Sequence, residues 1–486
     1  MSKGGSNNNT SQKLGLLALV AIVISSMIGS GVDGLPQNMA ATSEIGPVII
    51  AWLIFGFGMY FIARIFMVLS DIRPDLQSGI YMYAREGFGA FVAFIVAWGY
   101  WLMTIFSNVA FAIMVMDTLN YFLPGDFKGG NNIPSIIGAS ILIWGFNYLV
   151  LSGTKLAGAI NIIGTFAKLI PLSIFVFILV YFLNYEELTN NFWGNSATIP
   201  ADNLGPIPAQ ILAPLDIALW CFIGVEGAVA LSGRARNKKD VGKATLIGFI
   251  VSLIICIFIS VLPFGVLPQK ALSTIPTPST AGILKTVVGD WGEWLINIGV
   301  LVSVLTSWLA WTMICAEIPM AAAQNGTFPK AFSVKNKNGA ASTSLWVSSL
   351  FMQLVVFVVY FSNNAWLTML AISALMVLPA YLTSSAYLLQ LCLSDNFAKY
   401  ANKGKTSALI SGLIGLTFCL FMFYACEIKY LSMVPILLTL GIPLFIWSRY
   451  QEGQELFSPI ERILFIFIIV LDILTVFLYL NDYIKF

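Results

Sequence analysis

The sequence predicts an all-α polytopic membrane protein, and two observations predict it. Of 486 residues, 58% are hydrophobic and only 10% are charged. The apolar residues also gather in long uninterrupted blocks. A soluble domain carries about a quarter charged residues to cover its surface, and this chain falls well short. A helix needs about 20 mostly apolar residues to cross the hydrocarbon core. Blocks of that length recur from end to end, and the mean hydropathy is +0.86.

Taken in order, the apolar blocks give about 12–13 spans, near residues 14–42, 45–69, 88–122, 134–152, 156–183, 209–232, 243–267, 291–322, 344–361, 365–393, 406–426, 428–448 and 459–481. The third and eighth exceed 30 residues, so they should tilt strongly or project beyond the bilayer. A polar tail over 1–13 precedes the first span, which is too long for a cleavable signal peptide. Of the 25 lysines and arginines, two (Arg64 and Lys168) lie inside spans. With a cytoplasmic N-terminus, the rest divide eighteen inside to five outside, the five being Lys128, Lys270, Lys285, Lys429 and Lys485. Such a bias fixes orientation. It also makes the basic run Arg234–Lys239 a topology signal before it is a binding patch. An odd number of spans would leave the C-terminus outside. Six cysteines stand singly within apolar blocks, where a thiol acts as a small hydrophobe. No histidine exists, which excludes a histidine-ligated metal and a histidine proton relay.

The first span is interrupted by SSMIGSGVDGLP, residues 25–36. The spacing Gly29-x-Gly31-x-x-Gly34 matches a dinucleotide fingerprint. That reading needs a preceding strand and an acidic residue about 20 positions later, and the neighbours supply neither. The sixth span carries ALWCFIGVEGAVALSG, residues 218–233, whose centre repeats the pattern of apolar, glycine-rich, then acidic. Glycine inside a helix favours local unwinding. Unwound backbone survives in hydrocarbon only where protein or a cavity satisfies it. Two glycine-interrupted spans in corresponding positions point to a transporter's substrate site; glycines placed for close helix packing are the blander account. A half-helix N-terminus attracts a carboxylate, and carbonyls freed at the other half attract an ammonium. A zwitterionic amino acid fits such a pair of breaks.

These residues resemble a known family. SSMIGSGVDGLPQNMAA is similar to the first-helix motif of the amino acid–polyamine–organocation (APC) superfamily. LWCFIGVEGA and WTMICAEIPMAAAQNGTFPKAF resemble its basic amino acid/polyamine antiporter branch. Within it the chain looks closest to bacterial arginine/ornithine antiporters, with arginine/agmatine antiporters more distant. The resemblance implies a five-plus-five inverted-repeat transporter fold with discontinuous helices 1 and 6. The first repeat would cover 14–183, the second 209–393, and additional helices 406–486. It implies that Ile28, Ser30 and Gly31 hold the substrate's carboxylate or amino group, and that Trp220 and Ile223 contact the amino group from the sixth span. Trp311 would stack on the cationic or aliphatic side chain. Asn108, Met103 and Thr104 would line the side-chain end, and Tyr100 would act as an aromatic gate.

Several charges stand out. Asp33 replaces the apolar or aromatic residue of the family pattern. An unpaired charge at membrane depth costs at least about 2.5–3.5 kcal/mol, so Asp33 should have a partner: a cationic substrate, or the unwound N–H groups it could cap. Lys168 lies deep in the fifth span, and the resemblance implies that it bridges spans 1 and 8, either as a fixed tether or as a group that couples transport to protons. Glu226 is expected at a gate; it and Glu317 are candidates for proton carriage or bracing, and Asp472 is a further intramembrane charge. The function implied is exchange of arginine for ornithine by alternating access. The alternatives are a decarboxylation-pathway exchange (arginine/agmatine, lysine/cadaverine, histidine/histamine) or proton-coupled uptake. No cofactor, enzymatic activity or nucleic acid is expected. The partners are an amino acid, its exchanged product and the lipid of a bacterial cytoplasmic membrane, with a homodimer left open.

Overall fold

The computed structural model describes residues 14–76, 79–195, 203–230, 232, 235–362, 364–394, 396–401 and 403–484. Its helices run α1 (Leu16–Met27), α2 (Ser30–Ala40), α3 (Ile45–Ile72), α4 (Gly79–Phe88), α5 (Ala90–Phe122), α6 (Ile133–Ser152), α7 (Thr154–Tyr181), α8 (Tyr185–Thr189), α9 (Ile207–Leu212), α10 (Leu215–Cys221), α11 (Gly227–Ala230) and α12 (Lys239–Val261). They continue as α13 (Gln269–Thr274), α14 (Ser279–Val288), α15 (Asp290–Gln324), α16 (Ser342–Val359), α17 (Ala365–Leu393), α18 (Phe397–Tyr400), α19 (Lys405–Ala425), α20 (Ile428–Thr439), α21 (Ile442–Glu452) and α22 (Pro459–Leu480). Among the described residues, eleven helical segments are long and apolar enough to cross a membrane, and α1 with α2 make a twelfth as a bent pair. The shorter α9, α10 and α11 fill the expected sixth position. The tail at 1–13 and Arg234 lie outside the described residues.

Both anticipated breaks are present, the first and sixth of the spans, which is the pattern of the five-plus-five fold. α1 stops because Ile28 and Gly29 leave helical geometry (φ −87°, ψ 92° and φ −130°, ψ −148°). α2 restarts at an angle of 42°. In the sixth span, helix gives way to turns over 222–226, where Gly224 sits at φ +106°. A Cβ at Gly224 would lie 2.6 Å from Ser26 Oγ, so the two breaks press on one another. Ser26 Oγ is 2.9 Å from the Gly224 carbonyl, and Arg236 N donates to Leu14 O at 2.8 Å. The start of span 1 is thereby fastened to the end of span 6.

α5 and α15 have 33 and 35 residues. At 1.5 Å per residue they reach about 50 Å, longer than the apolar bilayer core, as their sequence length required. α5 is packed between α15 and α17, α3 lies against α12 and α19, and α7 lies against α15. Consequently α5 buries residues on all its faces, whereas α22 fully buries only Glu461 and Thr475 and packs Leu464, Phe465 and Ile468 partly against the core. The expected span at 428–448 is interrupted near Gly441, where a Cβ would meet the Trp98 ring at 2.7 Å.

Gly224→Ala should lower stability by about 1–3 kcal/mol, the usual strain of a forbidden backbone conformation, and abolish transport. Gly145→Ala, in open space on α6, should be neutral or stabilise by up to about 1 kcal/mol. Thermal unfolding of the purified variants checks both.

Candidate functional site

The end of α1 leaves carbonyls without helical partners, and protein donors take them. Lys168 Nζ, reaching in from α7, donates to Ile28 O at 2.8 Å, Ser307 Oγ at 2.6 Å, and Ser25 O and Oγ at 3.2 Å each. Ser307, on α15, lies 3.1 Å from Ser25 O and 3.2 Å from Ile28 O. Trp311, one turn further along α15, donates its Nε1–H to Ser26 O at 3.2 Å. The freed carbonyls of Ser25, Ser26 and Ile28, expected to meet a substrate ammonium, accept hydrogen bonds from the protein itself. Lys168, 1% exposed, thus ties spans 1, 5 and 8 together through neutral dipoles.

The other side of the break is different. α2 begins at an N-cap, Gly29, that has no side chain to cap the first amides. Those N–H groups and the helix dipole make an anion site. Gly31 packs closely against Trp220, and a Cβ there would clash with the ring's Cζ3; the side chain of Ser30 lies outside the described residues. Trp220 also meets Phe111 and Trp366, with centroids 6.0 and 6.5 Å away. Ile223 is buried beside it, its N–H donating to Trp220 O at 3.2 Å.

On α5, Asn108 Nδ2 donates to Thr104 O at 2.8 Å, and Thr104 Oγ1 to Trp101 O at 2.6 Å. Met103 sits on the same helix, its carbonyl 3.5 Å from Ser373 Oγ. Asn108 Oδ1 and Trp220 Nε1 are buried with no hydrogen-bond partner among the described residues. A buried polar atom left unpaired is costly, so an acceptor on α5 and a donor on α10 are both free for a polar ligand.

Beyond the sixth-span break lies a clasp. Glu226, fully buried, accepts from Tyr100 OH at 2.6 Å and Tyr381 OH at 2.7 Å, and lies 3.3 Å from Gly224 N. Three helical segments (α5, α17 and the break) converge on one carboxylate. Asp33 is placed apart from this group. On α2 it lies two residues from Gly31, roughly opposite around the helix. Its Oδ1 accepts from Thr280 Oγ1 at 3.2 Å, and its carbonyl from Ser279 Oγ at 3.0 Å. Its partner is therefore α14, the helix between spans 7 and 8. Thr277 and Gln269 extend the attachment to Gln37 and Ala40 O. Asp472 accepts from Thr439 at 2.6 Å.

A family model described as "Amino acid permease" matches residues 14–436. The chain belongs to the amino acid permease family. It is accordingly a multi-pass membrane transporter of the APC superfamily. The chain is 48% identical over 482 residues to an arginine/agmatine antiporter of Chlamydia pneumoniae, covering 99% of each chain. It is 51% identical over 442 residues, 91% of each chain, to an arginine/agmatine antiporter of Chlamydia trachomatis serovar L2. A Chlamydia caviae arginine/agmatine antiporter is 48% identical over 490 residues. Arginine/agmatine antiporters are thus much nearer to this permease than its motifs alone suggested.

Sequence reasoning missed Ser307, Tyr381 and Thr280. Ser307 had a readable signal, since it lies four residues before Trp311 and therefore on the same face of α15. Tyr381 had none, being one aromatic among many in an apolar run. At the end of α3, Arg73 bonds Asp75 at 2.7 Å, Glu86 at 3.4 Å and Tyr387, and lies over the Tyr400 ring. Its guanidinium holds the Asp75 carboxyl below the ordinary carboxylate value, chiefly by direct hydrogen bonding.

Tyr100→Phe and Tyr381→Phe each remove one donor to a buried carboxylate, a loss of about 1.5–3 kcal/mol. Because both act on Glu226, the double variant should depart from additivity, which a thermal-stability double-mutant cycle would register.

Proposed function

We propose that this permease exchanges arginine for agmatine across the bacterial cytoplasmic membrane by alternating access, with its N-terminus inside. The observation that carries the reading is the near full-length likeness to arginine/agmatine antiporters. It replaces ornithine, the product expected first, with the decarboxylated amine. The repeats would run 14–183 and 209–393.

The geometry is consistent with such a pair of substrates. Arginine and agmatine share a guanidinium and an aliphatic chain and differ by a carboxylate. The Trp311 face and the unpaired Asn108 Oδ1 would read the shared part; a cation over tryptophan is worth about 0.5–2 kcal/mol. The uncapped start of α2 would hold the carboxylate that only arginine brings. Lys168 serves as a fixed tether that keeps the broken span closed on α15. Tyr100, Glu226 and Tyr381 close the path on the cytoplasmic side of the breaks. Asp33 fastens the outer half of span 1 to α14 rather than meeting the substrate's charge.

Near neutral pH arginine carries one net positive charge and agmatine two, so each exchange moves one net charge across the membrane. A membrane potential contributes about 2.3 kcal/mol per charge per 100 mV. Exchange of arginine for ornithine moves none. Proteoliposomes should therefore take up labelled arginine only when loaded with arginine or agmatine. The arginine/agmatine rate should respond to an imposed potential. Uptake into empty vesicles driven by a pH gradient, or an equal preference for ornithine, overturns the proposal. Asp33→Asn should leave the ratio of Michaelis constants for cationic and neutral amino acids unchanged within about two-fold. A larger shift returns the carboxylate to substrate selection.

A further inference from the structure

We propose that the seam between α3 and α19 binds one anionic phospholipid, with its phosphate on Arg64 and an acyl chain in the groove above. Arg64, on α3, has no counter-charge among the described residues. Arg64 Nη2 donates to Ser407, Nη1 reaches Tyr60 OH only at 3.5 Å, and Nε has no partner. Among the described residues no carboxylate lies within ion-pair distance of it. An arginine inside a span is rare and ordinarily paired. Here its guanidinium snorkels to Ser407, in the first turn of α19, beside the exposed Lys405. That depth is the interface where lipid phosphates lie.

The second observation is a groove of about 890 Å³ formed by α3, α12 and α19, lined almost wholly by carbon. Its lining ends at Gly58 on α3 and Leu413 on α19, and Arg64 and Ser407 lie one to two turns beyond those ends on the same two helices. On α3, Leu53 and Phe57 line the groove and Arg64 follows two turns later on the same face. On α19, Ser407 is followed by Ile414, Thr417 and Phe421, again on one face. Residues spaced by three, four and seven align along a helix. A cation without a counter-charge and an apolar slot therefore share one seam, about two turns apart, the spacing of a headgroup phosphate and its chain. Arginine suits a phosphate through paired N–H groups. Uncharged lipid would fill the slot but leave the charge unanswered, and a second copy of this chain would need a carboxylate at that depth.

Native mass spectrometry of the full-length protein, with added phosphatidylglycerol or phosphatidylcholine, tests this without depending on transport or substrate. Wild type should retain one phosphatidylglycerol roughly ten-fold in preference to phosphatidylcholine. Arg64→Gln should bring the two lipids to parity, and Arg64→Lys should keep part of the preference. Leu413→Trp, which fills the groove and leaves the cation in place, should lose both lipids. Arginine counterflow in phosphatidylcholine vesicles should be unchanged in Arg64→Gln, which shows that the variant folds. Equal retention of the two lipids by wild type overturns the proposal, as does a preference that survives Arg64→Gln. So does a dimer that Leu413→Trp converts to monomers while lipid retention stays the same.

Discussion

The structure turns on a requirement of the bilayer: a backbone carbonyl without a partner is not tolerated in hydrocarbon. Breaking span 1 at Ile28 and Gly29 releases carbonyls in the middle of the protein. The fold answers with Lys168 from α7, Ser307 and Trp311 from α15, and Ser26 against Gly224 of the sixth span. The donors to these carbonyls come from two helices, α7 and α15, far from the break in the chain. The break is therefore also the knot that holds four spans, 1, 5, 6 and 8, in register.

The two sides of that break are chemically unlike. Protein donors take the carbonyls, while α2 starts without a side-chain cap and Asn108 Oδ1 has no hydrogen-bond partner among the described residues. A ligand that presents a carboxylate to the amides and a donor-rich cation to α5 and Trp311 uses what is left over. The Glu226 clasp on one side, and the attachment of α2 to α14 through Asp33 on the other, bracket this space. Both are bonds between a half-helix and a neighbouring element.

The sequence was informative where chemistry is local. Glycines flanked by apolar residues marked both breaks, because glycine alone reaches φ +106° without strain and lets Trp220 approach Gly31. Lys168 was legible because a charge in an apolar span must have a reason. Ser307 was half legible, by its helical spacing from Trp311. Tyr381 and Thr280 were not legible at all. Their importance comes from which helix folds against which, and a tyrosine in an apolar run looks the same whether it faces lipid or a carboxylate.

By itself, then, the amino-acid sequence determined the spans, their orientation signal, the two interruptions and the buried charges, since each follows from the transfer free energy of residues adjacent in the chain. The tertiary structure decided the partners: that Asp33 turns to Thr280, that the freed carbonyls belong to Lys168 and Trp311, and that Glu226 is held by two tyrosines 126 and 155 residues away. Hydrogen bonds act over about 3 Å of space, and only the packed bundle brings such distant residues that close.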